Sequence, residues 1–194
     1  MADLRAGLEA LLDEVGMPEM MPVAPRPRRE PGPRGRAARR IDYHDDPGAP
    51  AVNSLVPSVN TIVTSDAGEI LLIRRSDNGN WALPGGAVDL GESVAQAGIR
   101  ETREETGVEC EITGLAGIYS DPGHVILYTS NGEARQEFSI VLTGRPVRGE
   151  LAPSDESTEV RWVPAPRINH LAMDRSMRAR LRDYLARKSS PVLG

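Results

Sequence analysis

A chain of 194 residues can bury one substantial core with an appendage but is short for two full domains. Its 39% hydrophobic and 26% charged residues lie near the globular average, while 19 Gly and 16 Pro predict many turns. The net charge of −5 argues against nonspecific nucleic-acid binding, which depends on many Lys and Arg neutralising phosphates, and no apolar run approaches the ~20 residues of a membrane span.

In chain order, Leu4, Leu8, Leu11, Leu12 and Val15 recur at helical spacing and predict a short amphipathic helix within residues 1–20. Glu9, Asp13 and Glu14 interrupt the apolar run that a secretory signal needs, so a cytoplasmic location is expected. Residues 21–53 read as an extended linker, because Pro22, Pro25, Pro27, Pro31 and Pro33 alternate with Arg26, Arg28, Arg29, Arg34 and Arg36 and offer nothing to bury. That stretch is either a solvated tether or a contact for an acidic partner or nucleic acid.

A folded domain is expected over residues 54–188, with 189–194 as a tail. Val59, Ile62 and Val63 open a strand-like run, and Asp66-Ala67-Gly68 links it to Ile70–Ile73 as a predicted hairpin. A helix follows from Val94 to about Thr106, with Gly107 as its stop. Val108 to Gly117 reads as a strand holding the sole cysteine, Cys110, as a core thiol. Ser130-Asn131-Gly132 reads as the turn of a hairpin between Val125–Thr129 and Phe138–Leu142. Val160–Val163 is a last strand, and Asp174 caps a final helix bearing Met177, Leu181, Tyr184 and Leu185 on one side. This order predicts an α+β fold, a mixed β-sheet flanked by helices in an α/β/α sandwich.

The most informative segment runs from Gly86 to Val108. Ser93 with Gln96 three residues on makes a capping-box pattern, which starts the helix just after Glu92. At ~100° per residue, Glu101, Glu104 and Glu105 share one face. Like charges at this spacing repel by a few tenths of a kcal/mol per pair, and a divalent cation such as Mg²⁺ or Mn²⁺ would offset the repulsion. Spacing alone is equally that of a solvated helix whose Arg100 and Arg103 pair with neighbouring glutamates. Ala95, Ile99, Thr102 and Thr106 are expected on the side that packs against the sheet.

The whole segment resembles the Nudix box, G-x5-E-x7-R-E-U-x-E-E-x-G-U with U bulky and apolar, at Gly86, Glu92, Arg100, Glu101, Glu104, Glu105, Gly107 and Val108. Thr102 departs from the pattern at the first U position. The resemblance extends from about Val59 to Trp162 and implies the Nudix fold and hydrolysis of a diphosphate linkage in a small nucleotide substrate. By position, it implies that Glu101, Glu104, Glu105 and the Gly86 carbonyl hold Mg²⁺ or Mn²⁺. Glu101 is then a ligand or the base, Arg100 orients it, and Glu92 steadies the loop. Family members often add an acid from a loop before the last strand, for which Glu156 is the first candidate and Glu137 the second. Arg74 or Arg75, on opposite faces of their strand, is expected to reach substrate phosphate; His124 reads as an exposed loop histidine.

The box leaves the substrate open. Some family members that cut ADP-ribose carry a proline about 15 residues beyond the box, close to where this chain has Pro122, so the reading leans to ADP-ribose cleaved to AMP and ribose 5-phosphate. A MutT-type nucleoside triphosphate pyrophosphohydrolase is the alternative, and a non-catalytic ADP-ribose-sensing regulator is the alternative of another class. The family precedent includes homodimers; nucleic acid and membrane are not expected partners.

Overall fold

In the computed structural model, residues 40–186 and 190–194 are described, all within a unit spanning Gly32–Gly194. The expected amphipathic helix and the linker up to residue 39 lie outside the described residues. The first elements are β1 (Arg40–His44), β2 (Ser54–Leu55), β3 (Ser58–Val63), β4 (Glu69–Arg75), β5 (Trp81–Ala82), β6 (Gly85–Ala87) and α1 (Val94–Thr106). There follow β7 (Glu109–Tyr119), β8 (His124–Tyr128), β9 (Glu133–Gln136), β10 (Ser139–Arg148), β11 (Ser157–Pro164), α2 (Ala165–Ile168), α3 (Arg175–Leu185) and β12 (Val192–Leu193).

Strand β3 shows how the layers form. Successive side chains leave a strand on opposite faces. Val59 therefore packs with Ala97 of α1, and the Thr61 hydroxyl donates to the Gly98 carbonyl of the same helix at 3.3 Å. On the other face Ile62 joins Met177 and Leu181 of α3, and Asn60 Oδ1 accepts from Arg180 Nη1. Helices thus cover both faces of the central strands, as the α/β/α expectation requires. The sheets run in the orders β12-β7-β10-β3-β6, β11-β4-β5 and β1-β8-β9-β2. They are mixed, since β10 lies parallel to β3 and antiparallel to β7. Cys110 is a free thiol buried with Val63, Leu71 and Val108. Among the described residues no helix is long and apolar enough to cross a membrane.

Several local expectations are corrected. Asp66-Ala67-Gly68 does make a tight turn, with Ser65 N–H donating to the Glu69 carbonyl at 2.9 Å, yet β3 and β4 enter different sheets and share only the bridge Thr64–Ile70. Both strands are buried on both faces, so each needs partners on either side. The hairpin after β8 closes on Glu133–Gln136, because the run from Ser139 is taken by β7 and β3. Residues 40–44, read as linker, form β1 along β8, and Val192–Leu193, read as tail, forms β12 along β7. Backbone hydrogen bonding holds both short segments without the long apolar pattern that a sequence reading looks for. On α1 the packed positions are Ala97, Gly98, Thr102 and Thr106, while Ala95 and Ile99 face outward.

Candidate active site

Helix α1 begins where a reciprocal cap satisfies its first free amides. Gln96 N–H donates to Ser93 Oγ at 3.2 Å, and Gln96 Oε1 accepts from Ser93 N–H at 2.7 Å. It ends at Gly107, whose φ of 76° is left-handed backbone suited to glycine. The departure from the box pattern at Thr102 is accommodated inside the helix. Its fully buried hydroxyl donates to the Gly98 carbonyl four residues back at 2.7 Å.

The loop before the helix is tied to it by Arg100. Its Nε and Nη2 donate to the two Glu92 carboxylate oxygens at 3.0 and 2.7 Å, Nη1 donates to Glu101 at 2.8 Å and Glu104 at 3.2 Å, and Nη2 also reaches the Ala87 carbonyl at 3.2 Å. Glu92 in turn accepts from Asp89 N–H at 2.7 Å. One guanidinium therefore aims two of the three helical glutamates and fixes the loop.

Glu105 is buried and accepts from Gly85 N–H at 2.8 Å. Burial, with the charges of Glu101 and Glu156 added, outweighs that bond and pushes its carboxyl up to about 8. Burial also raises Glu101, against the opposing pull of Arg100. Gly86 passes so close that a Cβ there would lie 2.5 Å from Glu101 Oε1. Gly85 has φ +154° and crosses β3 where any Cβ would overlap the Val59 carbonyl. The glycines thus bring bare backbone against a crowded carboxylate group. Glu101, Glu104, Glu105 and the Gly86 carbonyl make an all-oxygen donor set, which is the chemistry that Mg²⁺ or Mn²⁺ takes, and the raised Glu105 is what a buried carboxylate short of positive charge looks like.

Above these residues opens a cleft of roughly 210 Å³. It is lined by Gly85, Gly86, Arg75 and Glu156 on one side and by Arg40, Tyr128, Arg135 and Glu137 on the other, with Arg180 also in the lining. Of the two arginines ending β4, Arg75 reaches this cleft and pairs with Asp77 at 2.9 and 2.7 Å. Arg74 turns away to the Gly79 carbonyl. Glu156 is exposed immediately before β11. Pro122 is not brought to the carboxylates; it lines a separate depression with His44 and Tyr119.

His124 is the clearest correction. Its side chain is 1% exposed and sits in β8 between two carboxylates, with Nε2 2.8 Å from Asp42 Oδ1 and Nδ1 3.0 Å from Glu137 Oε2. Burial pushes the imidazole down, but these two acids outweigh it and raise it above its ordinary value. Glu137 is buried and also paired with Arg180, so it is an interior group that shows one edge to the cleft. Sequence reasoning missed Arg40, Asp42, Asn60 and Arg180. Only Arg180 left a signal, as a cation on the apolar stripe Met177, Leu181, Tyr184 of α3.

Asp42, His44 and His124 also place three ligand-type atoms within 4.8 Å of one another. Their geometry does not suit an ion. The two imidazoles stack with centroids 4.2 Å apart and planes 24° from parallel, so their in-plane lone pairs run side by side instead of converging, and His124 Nε2 is already engaged by Asp42.

Residues 54–185 match the sequence model of the NUDIX domain. The chain is 35% identical over 140 residues to an ADP-ribose pyrophosphatase of Methanocaldococcus jannaschii, which covers 68% of this chain and 74% of that protein. It is 34% identical over 112 residues to a MutT-like protein of Streptomyces ambofaciens, covering 58% of this chain and 66% of that one. The solved structure of a MutT protein from Methanosarcina mazei Go1 superposes with a TM-score of 0.56 at 28% identity, over 70% of this chain and 98% of the other. With the fold, the box and its geometry in agreement with these matches, the chain belongs to the Nudix hydrolase family.

Proposed function

We propose that this protein is a Mg²⁺-dependent hydrolase of a nucleoside diphosphate linked to a second moiety, with ADP-ribose as the substrate, converted with one water to AMP and ribose 5-phosphate. The observation that carries the reading is that Arg100 gathers Glu101 and Glu104, while the buried Glu105, bonded to Gly85 N–H, feels the charges of Glu101 and Glu156 at the cleft wall that Gly85, Gly86 and Glu156 line. Glu104, Glu105 and the Gly86 carbonyl are the residues that would hold the metal, which when bound neutralises phosphate charge and makes water more acidic. Glu101 would take the proton of the attacking water or join the ligands. Arg100 holds Glu101 in line. Arg75 faces the same cleft as a cation for the diphosphate.

The substrate choice is supported by the relative named an ADP-ribose pyrophosphatase. The relative named MutT-like keeps a nucleoside triphosphate as the second reading. A panel of ADP-ribose, other nucleoside diphosphate conjugates and nucleoside triphosphates, with products resolved by chromatography, decides between them. AMP and ribose 5-phosphate in equal amounts support the proposal. Pyrophosphate released from a triphosphate, with ADP-ribose untouched, sinks it in favour of the second reading.

A further inference from the structure

Strand β1 lies ahead of the segment that matches the family, yet its first residue lines the substrate cleft. Arg40 Nε and Nη2 are both spent on Asp42, at 2.9 and 2.7 Å. Asp42 also meets His124 Nε2 at 2.8 Å, His124 Nδ1 faces Glu137 at 3.0 Å, and Glu137 pairs with Arg180, whose Nη1 reaches Asn60 of β3. The result is a run of alternating charge, Arg40, Asp42, His124, Glu137 and Arg180, that crosses from β1 to α3 through the interior. Burial raises the Asp42 carboxyl, but the bonds from His124 and Arg40 hold it well below the usual carboxylate range. His44 stacks on His124, and burial and the His124 charge push its imidazole down.

The run leaves Arg40 Nη1 without a hydrogen bond among the described residues, on a side chain only 13% exposed at the cleft wall. Arg75, Arg135 and Arg180 line the same cleft, and the charge of Arg40 opposes the charge of each. A salt bridge serving only to fasten an edge strand would not gather four guanidiniums around one cavity. Such a grouping fits an anion placed among them.

We propose that Arg40 is a substrate ligand contributed from outside the family-matched segment, binding the anionic part of the nucleotide opposite the glutamate cluster, with Asp42 and His124 as its positioning residues. This rests on the nucleotide-hydrolase reading above. The test uses the full chain with Mg²⁺ and the non-cleavable α,β-methylene analogue of ADP, titrated by calorimetry, alongside KM and kcat for ADP-ribose. Arg40→Gln is expected to weaken analogue binding and raise KM by about tenfold, the loss of one charge-assisted hydrogen bond, with kcat little changed. His124→Gln is expected to move KM in the same direction by less, again without a matching loss of kcat. Analogue binding equal to wild type in a folded Arg40→Gln, or a fall in kcat at constant KM, overturns the assignment. Should Arg40→Gln not fold, Arg40→Lys carries the test. It keeps the charge but not the fork, so weakened binding supports the assignment and wild-type binding overturns it. A wild type that does not bind the analogue also overturns it. Analogue binding that depends on Arg40, in a protein that cleaves no member of the substrate panel, leaves this assignment standing and sinks the hydrolase proposal.

Discussion

The two walls of the cleft manage charge in opposite ways. On the α1 side, Glu101, Glu104 and Glu105 crowd like charges together, with Arg100 as the cation that bonds directly to Glu101 and Glu104. On the β1, β8 and α3 side, acids and bases alternate, so each buried charge has an opposite neighbour in place. The first arrangement is incomplete by itself and calls for an external cation. The second pairs its buried charges internally, and what it offers outward is a guanidinium. Crowded charge that lacks a partner marks where something binds, whereas paired buried charge marks what holds the binding surface in place.

The contrast breaks most easily at Glu104, which is 61% exposed and contributes little to packing. Glu104→Gln is expected to lower kcat on the order of 10²–10³-fold with an unchanged melting curve, as removal of a group that acts on developing charge does. Undiminished turnover would remove Glu104 from the chemistry. On the opposite wall, Arg180→Met strands Glu137 and Asn60 in the interior and is expected to cost about 3–5 kcal/mol in urea unfolding. A loss below about 1 kcal/mol, the scale of an exposed ion pair, would show that the charge chain does not hold the fold.

A pH experiment sharpens the same comparison. The folded Glu105 carboxyl lies near 8, above its unfolded value, so its contribution is fully present below the unfolded pKa and is lost as pH rises through the folded one. Metal-free protein is therefore expected to lose Tm between about pH 5 and about pH 8, Mg²⁺ to restore it, and Glu105→Gln to flatten the slope. A slope unchanged by both Mg²⁺ and the substitution would contradict this account. His124 is also raised and also loses its contribution as pH rises, but Mg²⁺ has no purchase on that part. The smallest expected effect is at the helix start. Ser93→Ala removes one half of the cap and is expected to cost about 1 kcal/mol of stability with kcat retained.

The same contrast decides what could be read before the fold was known. The α1 wall is written in a contiguous segment, where the cap, the glutamate face, Arg100 and the stop at Gly107 all lie within one helix and its lead-in, so local spacing was enough. The other wall is assembled from partners 82, 43 and 120 residues apart, in His124–Asp42, Arg180–Glu137 and Arg180–Asn60. No window of sequence holds both members of those pairs. His124 therefore read as a loop residue, and β1 disappeared into the proline and arginine composition that precedes it. The pairing of β3 was obscured for a related reason. A strand buried on both faces does not reveal which neighbour it takes, and the nearest turn pointed to the wrong one.

Mn²⁺ binding, followed by electron paramagnetic resonance in wild type, Glu105→Gln and His124→Gln, tests the division between the walls most directly. Wild type and His124→Gln are expected to bind the ion alike, and Glu105→Gln to bind it far more weakly. Retention in Glu105→Gln with loss in His124→Gln would place the ion among Asp42, His44 and His124 and contradict the assignment of the glutamate wall as the metal centre.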